Sequence, residues 1–196
     1  YVGKSSALDY ESLQAIDPTV HLLSKSSADE LFPKFDELDM KYISMGACLE
    51  EDPRARLEWV KFAGALTDKD LEAEEFYQAE LAKINKVVED VASKNLDKKK
   101  VAIVYYSHSK EAFQVTHGLG HQAVTSQLAG GIHYPENFNM DKRGSSPMTN
   151  EEFFKLMEDV DIILYDNITG HGIQNMDDLL NTAPFVEDLN VVKEGN

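Results

Sequence analysis

His117 and His121 are, by type and spacing, the residues best placed to do chemistry in this chain. Four positions apart, they share one face if a helix covers both. Two imidazoles so arranged can chelate one metal ion or present a haem ligand. His108, His133 and His171 lie nearby in sequence and could supply further ligands. The plain alternative is a pair of surface or half-buried polar residues. Gly118 and Gly120 weaken the helix on which the spacing depends. A second group follows two apolar runs, 101–106 and 160–165. Tyr106, Ser107 and His108 close or follow the first run; Asp166, Asn167 and Thr169 follow the second. A tyrosine ring can lie on a porphyrin, corrin or catecholate face. Tyr105 reads equally well as core, given strand alternation.

Signatures of enzymes are absent from the sequence. There is no G-x-S-x-G, Walker A, H-E-x-x-H or G-x-G-x-x-G. Gly118-Leu119-Gly120-His121 is only a fragment of the dinucleotide motif. Ser107 and His108 are adjacent, and adjacent residues rarely present both groups to one atom.

The elements that must position these residues alternate in type. Residues 9–16 read as a helix ended by Asp17-Pro18, because the residue before Pro avoids helical dihedrals. Residues 20–23 and 41–45 read as strands. Between them a helix carries Leu31, Phe35 and Leu38, with Ser27 and Glu30 at capping-box spacing and Pro33 in its first turns. Asp52-Pro53 opens a helical stretch, with Pro at the first helical position. From Asp68 to Asn95 apolar residues recur every three or four positions, a rod of roughly 40 Å. Residues 101–106 are the strongest strand, apolar throughout as in a buried parallel sheet. Residues 116–129 read as a helix stopped at Gly130-Gly131, 132–134 as a short strand and 135–146 as loop. Thr149 caps a helix running to Met157, with Glu152 completing a capping box. Residues 160–165 are a second buried strand, 175–180 a short helix, and Val191-Val192 an edge strand. The expected fold class is α/β: two small, mainly parallel-sheet lobes joined by a long helix. Its parts are 1–50, 52–97 and 98–196. Ligands in such sheets bind past the carboxyl ends of strands, here a cleft between lobes.

Composition narrows the partners. The 196 residues carry 19 Lys and Arg against 35 Asp and Glu, a formal charge of −16. That balance argues against nucleic acid and anionic lipid heads, which need basic surface. Apolar runs are only a few residues long, so nothing spans a bilayer. One cysteine, Cys48, excludes an internal disulfide and a multi-cysteine metal site. The chain starts at Tyr1 without a leader and stops soon after Val192, so both ends read as cut.

Several segments, taken in order, resemble a known family. Asp9-Tyr-Glu-Ser-Leu-Gln-Ala-Ile-Asp-Pro-Thr-Val is similar to the first-lobe segment of periplasmic substrate-binding proteins that serve ABC importers of iron siderophores, haem and cobalamin. Asp52-Pro-Arg-Ala-Arg-Leu-Glu-Trp-Val and Leu71-Glu-Ala-Glu-Glu-Phe-Tyr resemble the entry into that family's helical backbone. Met148-Thr-Asn-Glu-Glu-Phe-Phe and Asp159-Val-Asp-Ile-Ile-Leu-Tyr resemble its second-lobe segment, and 177–192 its tail. The family's opening strands and last helices have no counterpart here, and Thr19 stands where the family usually has Asp. The resemblance implies a non-enzymatic receptor without a covalently bound cofactor. It implies a ligand that is an iron chelate, haem or cobalamin, held by Tyr106, Ser107, His108, His117, His121, Asp166 and Asn167. It also implies an extracellular or periplasmic setting with lipid attachment upstream of Tyr1. The family docks on its permease through one glutamate per lobe, and the matching positions are Glu11 and Glu151. Both also suit the first turn of a helix, where acids complement the dipole. A His-dependent metal protein is the alternative, either a Zn or Mn receptor or a metalloenzyme using His108, His117 and His121.

Overall fold

The computed structural model describes residues 1–4, 6–168 and 172–195. It divides into two compact units, the first covering Tyr1–Glu50 and the second beginning at Glu51.

The first unit opens with two short antiparallel strands, β1 (Gly3–Lys4) and β2 (Ala7–Leu8). Helix α1 (Tyr10–Ile16) follows, capped by the Asp9 carboxylate, which accepts from the Ser12 N–H at 2.9 Å. The helix stops before Pro18 where the sequence predicts, but Asp17 ends it in the left-handed conformation, φ 46°, rather than in the extended backbone usual before proline. β3 (His21–Ser24) and β4 (Tyr42–Met45) pair in parallel across helix α2 (Ala28–Glu37). Leu23, Leu31 and Phe35 form the core. The Phe35 ring meets the edges of Tyr10, His21 and Tyr42 at 6.0, 5.0 and 5.9 Å. The expected Ser27 cap does not form. A 3-10 turn, Lys25–Ser27, runs into α2 and leaves Ser27 at φ −107°, ψ 17°. An N-cap needs extended backbone to aim its side chain at the first turn. Pro33 also sits further inside the helix than the sequence suggests.

The second unit starts with two packed helices, α3 (Pro53–Thr67) and α4 (Asp70–Lys94). The rod expected from Asp68 begins two residues later, because Asp68 is the left-handed end of α3. Gly64 permits their close approach: a Cβ there would stand 2.5 Å from that of Ala73. The sheet follows. β5 (Lys100–Ser107) is central, paired in parallel with β9 (Ile162–Tyr165) on one side. On the other side the first half of β5 pairs in parallel with β7 (Ile132–His133). Its second half pairs antiparallel with β6 (Ala112–Thr116), which in turn pairs with β8 (Ser145–Met148).

Two of these strands are additions to the sequence reading: β6 covers residues given no element, apart from Thr116, and β8 begins in the stretch read as loop. The expected helix over 116–129 shortens to α5 (His121–Leu128). Gly118 and Gly120 separate it from β6, and Gly120 adopts φ 139°, which ordinary residues avoid. Helix α6 (Asn150–Met157) carries the full Thr149–Glu152 capping box. α7 (Met176–Thr182) precedes a 3-10 turn, Pro184–Asp188. The edge strand expected at Val191-Val192 is instead helix α8 (Asn190–Lys193). Its Val191 is buried in the core beside Leu189, and that tertiary packing overrides the β preference of valine.

Strand alternation sorts the sheet's residues between two faces. Ala102, Val104, Phe113 and Val115 join Phe153, Met157, Val186, Leu189 and Val191 in the main core. Phe113 stacks on Phe153 at 4.0 Å. The opposite face carries Val101, Ile103, Ile162 and Leu164. With α5 and the last turns of α4 it bounds an apolar groove of about 860 Å³. Among the described residues no helix is long and apolar enough to cross a membrane.

Candidate ligand site at the strand exits

β5 and β9 run in parallel, with Val104 opposite Tyr165, so their carboxyl ends open side by side. This brings the two groups predicted from sequence together. Tyr106 is half-buried and meets His108 and Phe113 edge-on, at 5.4 and 5.3 Å. Its backbone N–H donates to the Tyr165 hydroxyl at 3.0 Å. That bond ties the end of β5 to the end of β9. Burial is the main cause pushing the Tyr165 phenol above its ordinary pKa, so it stays protonated at neutral pH. Ser107 ends β5, and its hydroxyl lies 3.2 Å from that of Ser109. His108 is exposed in the turn that follows. Gly172, at φ 97°, comes close beneath it: a Cβ there would stand 3.2 Å from His108 Nε2. A larger residue at 172 would therefore crowd the imidazole.

On the β9 side, Asp166 accepts from Gln122 Nε2 at 3.4 Å and from the Ile168 N–H at 3.1 Å. Asn167 is exposed, and Ile168 is 81% exposed, an apolar side chain presented to solvent at the exit. Thr169 and His171 lie outside the described residues.

His117 and His121 do not share a helical face. His117 follows the last residue of β6, and only His121 belongs to α5. The two glycines between them end the strand and delay the helix. His117 is 2% exposed. Its Nε2 lies 2.8 Å from the Ser146 hydroxyl, its ring meets Phe138 edge-on, and its Nδ1 has no partner. It is a residue of the interior, joined to β8. Among the described residues no group of three His, Cys, Asp or Glu is arranged to hold a metal. The helical metal pair expected from the spacing is therefore withdrawn. His133 is likewise interior, with Nε2–H donating to the Thr116 carbonyl at 3.1 Å.

His121 stands at the start of α5, where it also borders the apolar groove. Arg56 Nη1 of α3 lies 2.9 Å from each of its ring nitrogens. Burial, and next the Arg56 charge, hold the His121 pKa below its usual value, opposed by Asp166. The neutral ring can thus accept from the guanidinium. Neither Arg56 nor Tyr165 is marked as a site residue by the sequence alone. Tyr165 carries a local signal as the last residue of an apolar strand. Arg56 could be found only through the tertiary approach of α3 to α5.

Elsewhere, Glu11 and Glu151 are exposed in the first turns of α1 and α6. Cys48 lies in the first unit, its Sγ 3.7 Å from the Ser24 hydroxyl. Trp59 meets Phe62 edge-on at 5.7 Å, a packing contact within α3.

Comparison with known proteins agrees with this architecture. The chain resembles a periplasmic heme binding protein from Pseudomonas aeruginosa with a TM-score of 0.74 at 14% identity, covering 100% of this chain and 67% of that one. It resembles an ABC transporter substrate-binding protein from Listeria monocytogenes with a TM-score of 0.70 at 19% identity, covering 98% and 69%. At these identities the likeness is one of fold. An uncharacterized lipoprotein of Methanocaldococcus jannaschii is 32% identical over 107 residues, which is 54% of this chain. The match covers 25% of that curated relative's length. The periplasmic binding protein family matches the chain over residues 1–196. The chain therefore belongs to the periplasmic binding protein family.

Proposed function

We propose that this chain is the ligand-capturing part of an ABC importer, and that it takes an iron chelate of the haem class at the exits of β5 and β9. The observation that carries this reading is the edge-on contact of Tyr106 with His108 at the end of β5, beside the end of β9, which is followed by the exposed Ile168. A phenol ring and an imidazole can face or ligate a metallated macrocycle, and an exposed aliphatic side chain covers its apolar plane. Ser107, Asp166 and Asn167 supply polar contacts at the edge. The heme-binding protein of similar fold supports this ligand class. Family membership supports a setting outside the cytoplasm, and the lipoprotein relative supports a lipid anchor on the whole protein.

Absorbance titration with haemin tests the reading. Saturable binding with a shifted main absorption band is expected, and His108→Ala should weaken it about tenfold or more, a change of 1.4 kcal/mol per decade. A haemin spectrum unchanged from free solution would overturn the haem assignment. Saturable binding of a ferric siderophore in the same assay would then move the ligand class to siderophores.

Docking on the permease is assigned to Glu11 and Glu151. Exposed carboxylates meeting arginines give orientation and fast association. Charge reversal at either position should reduce transport in reconstituted vesicles and leave ligand affinity intact. Transport at the original rate in both variants would remove them from this role.

A further inference from the structure

The parallel ladder between β5 and β9 stops before β5 does. Its last pair sets Val104 opposite Tyr165, and the Asp166 N–H donates to the Val104 carbonyl at 2.8 Å. Bonds in a parallel pair are evenly spaced, so the next β5 donor due a partner is the Tyr106 N–H. No carbonyl of β9 is left for it, because β9 ends at Tyr165. In the turn that follows, the Asp166 carboxylate accepts from the Ile168 N–H at 3.1 Å. The Tyr165 hydroxyl takes the vacant place and accepts from the Tyr106 N–H at 3.0 Å. A side chain thus stands in for a backbone carbonyl at the point where the two strands part.

The Tyr106 ring connects this bond to the exit turn. On one side it meets Phe113 edge-on at 5.3 Å, and Phe113 is fully buried. On the other it meets His108 edge-on at 5.4 Å. His108 is exposed, and among the described residues no hydrogen bond holds its imidazole. The contact with Tyr106 therefore fixes where that imidazole lies. Tyr165 is itself packed against the main core, so its ring is anchored apart from its hydroxyl.

We infer that Tyr165 is a positioning residue of the strand-exit site: its hydroxyl holds the Tyr106 backbone and, through the Tyr106 ring, sets His108 where the ligand is received. The assignment rests on the capture reading above for the ligand, and on the hydrogen bond alone for the latch. Without the hydroxyl, the Tyr106 N–H turns to water, the end of β5 loosens from β9, and the ring contact with His108 loosens with it.

Tyr165→Phe removes the hydroxyl and keeps the packed ring, and far-UV circular dichroism checks that the variant folds. Tyr134→Phe is the control, since Tyr134 is a half-buried phenol after β7, away from the exits. In the ligand-free protein, the Tyr106 amide of Tyr165→Phe should exchange with deuterium about tenfold faster or more. Its His108 ring signals in proton–carbon NMR should move, while the Val104 amide stays protected. With haemin, the affinity should fall about tenfold or more. The main absorption band of the saturated variant should also differ from that of the wild type. A merely structural role would lower stability and leave the saturated band in place. Wild-type exchange at Tyr106 with unmoved His108 signals would overturn the inference, as would an unchanged affinity and saturated band. Haemin bound by neither protein removes the haem reading, and the exchange and ring signals then decide the latch.

Discussion

Phe153→Ala is expected to destabilise the second unit by about 3–5 kcal/mol, the usual cost of emptying an aromatic site in a core. Phe153 is fully buried. It lies flat on Phe113 at 4.0 Å and meets Phe185 edge-on at 6.3 Å. It thereby joins α6 to the sheet and to the 3-10 turn that precedes α8. Neither neighbour can fill the space without leaving its own rotamer. Urea unfolding followed by near-UV circular dichroism measures the loss. Phe76→Ala is the control, since Phe76 on α4 is half exposed. A loss below about 1 kcal/mol for Phe153→Ala would contradict the packing described here.

Acid is expected to destabilise the same unit from about pH 6.5 downward, where an unfolded histidine begins to take a proton. His133 is 4% exposed, and its Nδ1 has no partner. Burial is the main cause holding its pKa below the ordinary value, against the backbone hydrogen bonds to Thr116 and His117. Above pH 6.5 the ring is neutral in both states and adds no pH dependence. As pH falls, the unfolded chain binds the proton first and the folded chain resists it. Stability then declines by up to about 1.4 kcal/mol per pH unit, until the folded pKa is reached. His121, whose pKa is also lowered, acts in the same direction. Urea midpoints at pH 7.5 and 5.5 give the slope. His133→Gln should flatten it relative to wild type, whatever it does to absolute stability. Equal slopes would show that His133 takes up its proton without penalty.

The sequence exposed some parts of this fold better than others. β5 and β9 were legible because both are nearly unbroken apolar runs. α6 was legible from its capping box. β6 was hidden by its own residues. Gln114 interrupts the apolar pattern although it is fully buried. The turn into β6 also lacks glycine: Glu111 takes the left-handed conformation, φ 49°. β8 was hidden by Ser145, Ser146 and Pro147, a composition that reads as loop. Pro147 is tolerated because β8 lies at the end of the sheet.

β6 also explains the position of His117, which follows that strand and lies outside α5. With β6 unseen, the stretch after Thr116 looked continuous, and a spacing of four suggested one helical face. The exit residues Tyr106, Ser107, His108, Asp166 and Asn167 were legible because a strand's end is a local signal. Their adjacency was not, since it depends on β5 and β9 being neighbours across some 60 residues of chain. Arg56 lies further beyond local pattern. Its place beside His121 follows from the packing of α3, which no spacing in the sequence encodes.

Ligand is proposed to be held at the exits of β5 and β9. The competing place is the apolar groove on the other side of the sheet. That groove encloses about 860 Å³ and bears exposed aliphatic residues such as Leu164 and Leu96. Backbone amide NMR with gallium protoporphyrin, a diamagnetic stand-in for haem, distinguishes the two directly. The largest saturable shifts are expected on residues 106–108 and 165–168, which do not line the groove. Shifts centred on Val88, Leu96, Leu128 and Leu164, with the exit residues unmoved, would contradict this placement.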